Sequence, residues 1–380
     1  MLGVYHACAS HRNPARCRGL STERVVVVGA GLAGLAVAAR LLDAGRQVLL
    51  LEGSARAGGQ IHTWRQGELV VELGAEGFVA RSRAVPALCR LLGIEGALVD
   101  QLTTDTYALE DSGLVLLPPG EAARRLGFQV PPEELGRGIR SLAHGMGQLV
   151  DALVAAVGDR LLLSTRASGI VREGSDLVVE RSDGRREAAT AVVLATPARL
   201  ASALTTPLGV SAVEPLQAAP LLSNVSVNLT YLDAQLTHYP AGSGVIFPES
   251  FANVGLRALS LVNHKFAGRA PAGIALVRVF FRPQGDALSS WSDARFVSEA
   301  ASAIARVLDV TGEPAQSWVS RWADALPVFS PAHKAQAEAA DLALQALGVH
   351  VTGSAFHGAG IDAAVTSAEI VAARLGAASP

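Results

Sequence analysis

The chain has 380 residues and a formal net charge of −2, from 32 basic and 34 acidic side chains. This length suits two domains, since a single domain usually holds about 100–200 residues. Half of the residues are apolar and 17% are charged, which excludes a disordered chain, and the balanced charge excludes the basic surface typical of a nucleic-acid-binding protein.

The cysteines exclude several further classes of protein. There are three, Cys8, Cys17 and Cys89, and no two of them form a C-x-x-C pair. A thiolate zinc site, a dithiol redox centre and a disulfide-stapled secreted scaffold are therefore excluded. We predict no metal site and an intracellular, cytoplasmic protein.

The first 22 residues are predicted to form a disordered leader. They contain basic residues but no acidic ones, and they lack the apolar core of a secretory signal. A transit peptide and a start codon assigned too early are the alternatives. The apolar stretch at 25–39 is too short to span a bilayer, which needs about 20 residues.

The first predicted strand ends in a glycine-rich turn. Residues 25–28 are four valines, as expected of a strand buried on both faces of a parallel sheet. A helix over 35–42 and a second strand over 47–51 follow, and Glu52 comes directly after that strand. The interval from the turn to Glu52 is close to the roughly 20 residues that separate a dinucleotide-binding turn from its ribose-binding acid.

We predict that this turn binds the ADP half of a dinucleotide. The first glycine permits the tight turn, the second lets a pyrophosphate approach the backbone, and the third lets the helix pack on the strand. The free N–H groups of the helix N-terminus bind the phosphates. A glycine-containing loop is the plain alternative, but the strand, the helix and the acid favour the nucleotide. The turn consists of Gly29, Ala30, Gly31, Leu32, Ala33 and Gly34.

The residues after Glu52 favour FAD over NAD. The segment 52–63 reads EGSARAGGQIHT and resembles the E-x-x-x-R-x-G-G-[RK]-I-x-T signature of FAD enzymes with the glutathione-reductase type of fold, in the amine-oxidase branch. Arg56, Gly58 and Gly59 match the signature, and Gln60 replaces its basic residue. The paired glycines let the backbone pass close to the cofactor.

The remaining chain alternates between helical and strand patterns. In chain order we predict a strand and glycine turn (67–77), a helix (82–93), a short strand (114–117), a linker (118–138), a helix (148–157), strands at 161–170, 177–180 and 191–195, a mostly antiparallel sheet (221–232, 244–247, 256–262 and 273–281), an amphipathic helix (296–307), and a last strand, glycine turn and helix (350–352 and 363–375).

Four widely spaced blocks resemble the oxygen-dependent protoporphyrinogen/coproporphyrinogen oxidases of haem biosynthesis, which are FAD amine-oxidase-like flavoproteins. The first is the glycine turn with its continuation to Arg81, and the second is GMGQLVDAL at 145–153. The third is GSGVIFP at 242–248 with FAGRAP at 266–271. The fourth joins Arg321-Trp322, the stretch to His333, and GSAFHGAGI at 353–361.

The resemblance implies a mixed α/β fold with a Rossmann-type FAD-binding domain and a second, mainly antiparallel sheet that binds substrate. In the family a long helical insert forms one wall of the substrate pocket. In this chain the corresponding region, about 108–141, is much shorter, so we expect that wall to be reduced. The implied division is a leader (1–22), a discontinuous FAD-binding domain (23–80, 141–200 and 318–380), a reduced helical or linker region (81–140) and a substrate-binding domain (201–317).

By resemblance, the ADP half of FAD is held by the glycine turn, Glu52, Arg56, Gly58 and Gly59, and its adenine by the backbone of Ala167. The helix that begins near Asp362 directs its positive N-terminus at the flavin. Trp322 lies near the flavin or, alternatively, is a core residue. The residues expected to line the flavin are Gly74, Ala75, Glu76, Gly77, Ala359, Gly360 and Ile361. We expect a non-covalent flavin, because monoamine oxidases tether theirs through a C-terminal cysteine and no cysteine follows Cys89 here.

The substrate wall is expected to include Gly244 and Ile246, with Arg81 as one of several arginines that could pair with a propionate. No catalytic residue is assigned, because the flavin performs the hydride transfer. His333 and His357 are acid–base candidates whose alternative role is structural. The family's G-F-G-x-L-x-P stretch has an aromatic residue where this chain has Ser243. After the C-terminal glycine turn, Asp362 replaces the family's Pro or Asn, and Ala363 replaces the acid that follows it.

Three functions remain open. The leading one is oxidation of a porphyrinogen, either protoporphyrinogen IX or coproporphyrinogen III, to the porphyrin with O2 as acceptor. The second is an FAD amine oxidase or polyene desaturase, and the third is a catalytically impaired protein that binds FAD and a tetrapyrrole. The resemblance leaves open a peripheral contact with the inner face of the membrane and a homodimer.

Overall fold

The computed structural model describes residues 24–127 and 137–376. The predicted leader and much of the predicted linker at 118–138 therefore lie outside the described residues. The strands are β1 (Arg24–Val28), β2 (Gln47–Leu51), β3 (Thr63–Gln66), β4 (Leu69–Glu72), β5 (Phe78–Val79), β6 (Leu98–Asp100), β7 (Thr106–Glu110), β8 (Gly113–Leu116), β9 (Ile139–Leu142), β10 (Leu161–Leu162), β11 (Ala167–Glu173), β12 (Asp176–Arg181), β13 (Arg186–Ala189), β14 (Ala191–Leu194), β15 (Leu221–Leu232), β16 (Gly244–Ile246), β17 (Leu256–Leu261), β18 (Ile274–Phe281), β19 (Gln316–Pro327) and β20 (Val349–Val351).

Short 3-10 turns connect several elements. The α-helices are α1 (Leu32–Asp43), α2 (Ala84–Leu91), α3 (Glu121–Arg125), α4 (Gly147–Val157), α5 (Ala198–Thr205), α6 (Val262–Lys265), α7 (Ala287–Ser290), α8 (Asp293–Leu308), α9 (Pro331–Gln345), α10 (Ser354–His357) and α11 (Ile361–Gly376).

A five-stranded parallel sheet forms the centre of the first half of the fold, in the order β10-β2-β1-β14-β20. The valines of β1 are almost fully buried because both faces of the sheet are covered. One face packs against α1, α4 and α11, and the other against α5, α9 and the antiparallel strands β11–β13. Burial on both faces explains the uninterrupted apolar run that predicted this strand.

A seven-stranded sheet forms the second half, in the order β19-β15-β18-β17-β16-β7-β8. Val225, Val227 and Leu229 of β15 turn toward α8, where Phe296 and Ile304 are fully buried. The alternate residues form what we call the inner face of this sheet. It meets the hairpin β3–β4 and the turn that follows it, through Asn228, Leu276, Arg278 and Trp322.

Several elements differ from the sequence prediction, and three of them show why. The predicted strand over 161–170 is split, because Ser164 adopts a left-handed conformation (φ 51°) and separates β10 in the parallel sheet from β11 in another sheet. Strand β19 and helix α9 were not predicted. The sequence of β19 lacks a regular apolar alternation, so its pairing with β15 defines it as a strand.

These elements bear on the domain division, which remains a proposal. The boundary at 317/318 falls inside β19, which belongs to the seven-stranded sheet. The region 81–140 also holds more strand than a helical linker would, since β7 and β8 extend the same sheet at its far edge. Within the described residues, no helix is both long and apolar enough to cross a bilayer.

Candidate functional site

The glycine turn after β1 combines two tight contacts with one open position. A Cβ on Gly29, whose φ is 100°, would lie 2.6 Å from the carbonyl oxygen of Ala195, and a Cβ on Gly34 would lie 1.9 Å from that of Gly29. A Cβ on Gly31 would meet no protein atom within 4 Å. The first and third glycines are thus required by the fold, whereas the second leaves space beside the backbone.

The N-terminus of α1 is open to an anion. No side chain caps it, and its first turn, which contains Leu32 and Ala33, carries no acidic residue. The hydroxyl of Thr196 is buried without a hydrogen-bond partner, and its methyl carbon would lie 3.2 Å from a Cβ on Gly29. This unpartnered hydroxyl beside an uncapped helix fits a polar ligand such as a nucleotide. Sequence reasoning missed Thr196, although its place at the end of the strand beside β1 is a signal for it.

Glu52 is fixed by the backbone around it. Its Oε2 accepts a 2.7 Å hydrogen bond from the N–H of Ala30, and its Oε1 accepts one of 2.8 Å from the N–H of Ser54. The Ser54 hydroxyl also donates to Oε1. The carboxylate therefore stands at the edge of the glycine turn in a defined orientation, as a ribose-binding group requires.

Arg56 shapes the loop that carries the paired glycines. Its Nη1 donates to the carbonyl oxygens of Ala57 and Ile61, both at 2.8 Å, and its Nη2 donates to that of Gly59 at 2.6 Å. These bonds occupy the guanidinium with its own loop. A direct contact of Arg56 with a nucleotide stays a prediction.

The paired-glycine loop lies against the glycine turn. Gly58 forms a backbone bridge to Gly31, and a Cβ on Gly59 would lie 3.1 Å from the Cα of Gly31. A side chain on Gly59 would therefore crowd the backbone at Gly31, whereas one on Gly58 would meet the carbonyl oxygen of Ile61 at 2.9 Å. The structure thus brings the two glycine motifs together on one side of the central sheet.

The turn that follows β4 contains Gly74, Ala75, Glu76 and Gly77, and we call it the 74–77 turn. A Cβ on Gly74 would lie 2.0 Å from the carbonyl oxygen of Gln60, which also accepts a hydrogen bond from the N–H of Ala75. A Cβ on Gly77 would lie 2.5 Å from the carbonyl oxygen of Arg140. Both glycines are required by close backbone packing.

A group of buried charges holds this turn, and we call it the ionic cluster; its members are Glu72, Glu76, Lys265, Arg269 and Arg278. Lys265 pairs with Glu76, and Arg278 Nη1 lies 3.7 Å from the Glu76 carboxylate. Arg278 also donates a 2.7 Å hydrogen bond to the carbonyl oxygen of Gly74. Although burial raises the pKa of Glu76, Lys265 and Arg278 outweigh it and hold that pKa below its usual value. Lys265 and Arg278 belong to no motif, and Arg269 falls in a different sequence block from Glu72 and Glu76, so the sequence did not predict the cluster.

Glu72 ties the turn to α4. Its Oε1 accepts a 2.6 Å hydrogen bond from the N–H of Met146, and its Oε2 accepts one of 2.7 Å from the hydroxyl of Thr63. The Thr63 hydroxyl in turn accepts the N–H of Gly147 at 2.7 Å. These hydrogen bonds anchor the start of the second sequence block, at Met146 and Gly147, to the hairpin β3–β4. Burial raises the pKa of Glu72, although Thr63 and Met146 partly offset the shift.

Trp322 on β19 reaches the residue just before the 74–77 turn. Its indole N–H donates a 2.8 Å hydrogen bond to the carbonyl oxygen of Leu73. Three residues further along, the carbonyl oxygen of Ala325 accepts a 2.6 Å bond from the amide of Gln60. On β15, paired with Trp322, Asn224 has a buried amide oxygen without a partner. This orphan acceptor was also missed, because β15 reads simply as a strand.

The C-terminal turn lies beside the N-terminus of α1. A Cβ on Gly353 would lie 3.4 Å from that of Ala33. Gly360 has a φ of 106°, and it and Ala359 are exposed, whereas Ile361 is buried at the start of α11. Ala167 is buried on β11, opposite Arg181.

The predicted substrate residues are only partly brought together. Gly244 and Ile246 lie on the inner face, where a Cβ on Gly244 would come within 2.3 Å of the carbonyl oxygen of Leu259. Ile246 packs against Ala108 and neighbouring apolar side chains. Arg81 is exposed, and no contact places it with this pair.

The two candidate histidines are held by backbone carbonyls. His333 is buried, and its Nε2 lies 2.8 Å from the carbonyl oxygen of Ala355 while its ring packs on Phe329. His357 Nε2 lies 3.0 Å from the carbonyl oxygen of Val351. These contacts favour the structural interpretation of both.

Comparison with known proteins gives consistent results. A family model described as flavin containing amine oxidoreductase matches residues 32–126 and 112–376. The chain is similar to the coproporphyrinogen III oxidase of Propionibacterium freudenreichii subsp. freudenreichii, with 34% identity over 63% of this chain and 46% of that protein. It is also similar to the coproporphyrinogen III oxidase of Bacillus subtilis (strain 168), with 23% identity over 89% of this chain and 95% of that protein. The first match thus spans less than half of its relative.

Solved structures show the same fold. A proposed protoporphyrinogen oxidase from Exiguobacterium sp. 255-15 superposes with a TM-score of 0.81 at 21% identity, covering 95% of this chain and 100% of that one. Cyclohexylamine oxidase from Brevibacterium oxydans IH-35A superposes with a TM-score of 0.74 at 15% identity, covering 93% and 99%. This likeness confirms the predicted mixed α/β class, a Rossmann-type domain with a second sheet.

Proposed function

Because the chain belongs to the family of flavin-containing amine oxidoreductases, we propose that it is an FAD-dependent oxidase that converts a porphyrinogen to the porphyrin with O2 as acceptor. The family membership confirms the predicted flavin cofactor, and the curated relatives confirm the predicted resemblance to porphyrinogen oxidases. The chain is thus a flavin-containing oxidoreductase. The substrate and the acceptor are the proposal.

The open space at Gly31 carries the proposal for the cofactor. Gly31 and the paired-glycine loop leave a groove that any larger residue would narrow, and the uncapped α1 N-terminus and the unpartnered Thr196 hydroxyl border it. We assign the pyrophosphate to this groove and a ribose to Glu52. The carboxylate oxygens of Glu52 already face the turn and accept donors there. Non-covalent FAD predicts that acid precipitation releases all of the flavin.

The 74–77 turn is proposed to line the flavin, whose ring system accepts a hydride when bound. Trp322 and Arg278 hold the carbonyl oxygens of Leu73 and Gly74 from the inner face, so this backbone is positioned by the second sheet. Glu76 is held ionised by Lys265 and Arg278. A carboxylate pinned in this way positions the turn and is a weak base, so the pyrrole protons pass to water.

The net reaction balances without a catalytic base from the protein. A porphyrinogen loses six hydrogen atoms in three two-electron steps, and three O2 molecules become three H2O2. The protein binds, orients and shields the reactants, and the cofactor performs the oxidation. The relatives named coproporphyrinogen III oxidase make coproporphyrinogen the first substrate to test.

Anaerobic mixing tests the proposal. The purified flavoprotein is mixed with coproporphyrinogen III or protoporphyrinogen IX under argon, and flavin absorbance near its visible maximum is followed. Bleaching, followed by recovery on admission of O2 with appearance of porphyrin fluorescence, is the expected result. Bleaching by putrescine or cyclohexylamine alone would instead assign an amine oxidase, and no bleaching by any of these compounds would leave a flavin-binding protein without this activity.

A further inference from the structure

Arg282 directly follows β18, the strand that carries Arg278 and Phe280 on the inner face of the seven-stranded sheet. Phe281 turns to the opposite face, where it packs edge-on against Phe296 of α8. Because side chains alternate along a strand, Arg282 follows Arg278 and Phe280 on the inner face. Val225 of β15 pairs with Phe281, the last residue of β18. Continuing this register by one residue would bring Arg282 opposite Asn224.

The register gives the distance of Arg282 from the candidate flavin site. Asn224 pairs with Trp322, so Arg282 is two strands away from Trp322, or about 10 Å at the usual strand spacing. Along β18 it is four residues from Arg278, or about 14 Å at the usual rise. Trp322 and Arg278 are the residues that hold the backbone before and in the 74–77 turn.

A second arginine lies beside it. Arg257 stands at a bulge in β17, between the pairs that Leu256 and Ala258 make with β18. Its Nη2 donates a 3.2 Å hydrogen bond to the carbonyl oxygen of Arg125, the last residue of α3. Helix α3 packs over Ile246 and Phe280 on the same face, so Arg257 lies at the C-terminal end of a helix that covers part of the inner face.

Among the described residues, no carboxylate neutralises the positive charge of this pair. Within residues 24–127 and 137–376, neither Arg257 nor Arg282 forms an ion pair with a carboxylate. The nearby carboxylate of Glu121 is taken by Arg124 at 2.6 Å and Arg125 at 2.9 Å. Both arginines are half-buried, and burial, together with Arg257, lowers the pKa of Arg282. An anionic ligand would relieve this unfavourable arrangement.

We propose that Arg282, with Arg257 beside it, binds a propionate carboxylate of the substrate. This inference rests on the proposed function. When one meso carbon of a porphyrinogen lies at the flavin, the propionate arms extend past the far edge of the macrocycle, toward a group such as Arg282. Phe280 lies between Arg278 and Arg282. The Arg278 guanidinium lies over its ring, 4.8 Å from the centroid, and the ring stays partly exposed, so its remaining surface is available to the pyrrole rings. A guanidinium binds a carboxylate with two parallel hydrogen bonds.

The test compares Arg282→Met and Arg257→Met with the wild type and with Arg185→Met. Arg185 is exposed in the turn between β12 and β13, far from the inner face. Binding of coproporphyrin III is measured by quenching of its fluorescence on the FAD-loaded proteins, and KM and kcat are measured with coproporphyrinogen III. FAD content and Tm verify folding, and Arg282→Lys, which retains the charge without the bidentate geometry, replaces Arg282→Met if the latter does not fold.

Arg282→Met is expected to weaken coproporphyrin binding and raise KM by about tenfold or more, the loss typical of a charged hydrogen bond, with kcat little changed. Arg282→Lys is expected to lose less affinity for coproporphyrin than Arg282→Met, and Arg185→Met is expected to bind as the wild type does. Equal binding and KM in Arg282→Met and Arg185→Met overturn the inference while the proposed function stands. A wild type that binds coproporphyrin through Arg282 but oxidises no porphyrinogen supports the carboxylate site and refutes the function. A wild type that does neither refutes both.

Discussion

The indole N–H of Trp322 donates a 2.8 Å hydrogen bond to the carbonyl oxygen of Leu73, across a sequence separation of 249 residues. Trp322 belongs to β19 in the seven-stranded sheet, and Leu73 directly precedes the 74–77 turn. The bond joins the two halves of the fold at the place where the flavin is proposed to lie. Trp322 therefore acts on the backbone of the turn whichever of its two predicted roles applies.

Trp322→Phe keeps an aromatic ring and removes this donor. We expect the free energy of unfolding to fall by about 1–2 kcal/mol, because the Leu73 carbonyl loses its partner. FAD affinity is expected to fall as well. Urea denaturation and a titration of the apoprotein with FAD measure the two effects.

Trp318→Phe provides the matched control. Trp318 lies on the same strand and face and packs on Trp64, with ring centroids 4.9 Å apart, and its ring contact survives the change. A loss of FAD affinity as large in Trp318→Phe as in Trp322→Phe would contradict the role given to the indole N–H.

Alanine substitutions at two glycines of the same turn are expected to affect different properties, FAD binding in one case and folding in the other. Gly31→Ala adds a Cβ that meets no protein atom within 4 Å, at a φ of −67° that alanine tolerates. The apoprotein should keep its Tm, whereas FAD binding should weaken at least tenfold, roughly the 1.4 kcal/mol that one tenfold step represents. Gly34→Ala places its Cβ 1.9 Å from the Gly29 oxygen, so the apoprotein itself should be destabilised by several kcal/mol, on the order of a severe core defect.

Thermal unfolding of both apoproteins, with FAD titrations of whichever folds, separates these outcomes. Undiminished FAD affinity in Gly31→Ala would show that no phosphate passes this residue.

Glu76 gives the protein a stability that disappears in acid. Because its pKa in the folded protein lies below the usual 4.5, its ionised form stabilises the fold at pH values above 4.5, and this contribution is lost as pH falls through the folded pKa. Glu76→Gln leaves Lys265 and Arg278 without their carboxylate, and we expect a loss of about 3 kcal/mol at pH 7. The difference from the wild type should shrink toward acidic pH in denaturation curves. A difference that is constant with pH would contradict the ion-pair assignment.

Ionisation of Glu72 is expected to change stability with pH in the direction opposite to that of Glu76. Burial raises its pKa above the usual 4.5 in the folded protein, so ionisation costs stability as pH rises from 4.5 through the folded pKa. Glu72→Gln still accepts the Met146 N–H and cannot ionise. Relative to the wild type, the free energy of unfolding of this variant should therefore increase as pH rises over that window. The same denaturation series is run on Glu76→Gln. The assignment is refuted if the stability differences of the two variants from the wild type change in the same direction with pH.

Local chemistry made the cofactor half of the site readable from the sequence. A run of valines, glycines at fixed spacing and an acid at the end of the next strand each depend on atoms nearby in the chain, such as the Gly29 oxygen that leaves no space for a Cβ on Gly34. The same logic predicted α1, β2 and the alternating strands of the second sheet. It failed for β19, whose partners lie on β15 far away in the chain.

The residues themselves determined a nucleotide-binding turn, a parallel sheet buried on both faces and a second amphipathic sheet, because periodicity and glycine sterics act within short segments. Only the tertiary structure decided that Lys265, Arg269 and Arg278 converge on Glu72 and Glu76, and that Trp322 of β19 reaches the Leu73 carbonyl oxygen. Such pairings depend on strand register and on the balance between burial and charge, and neither is encoded by any one segment of the chain.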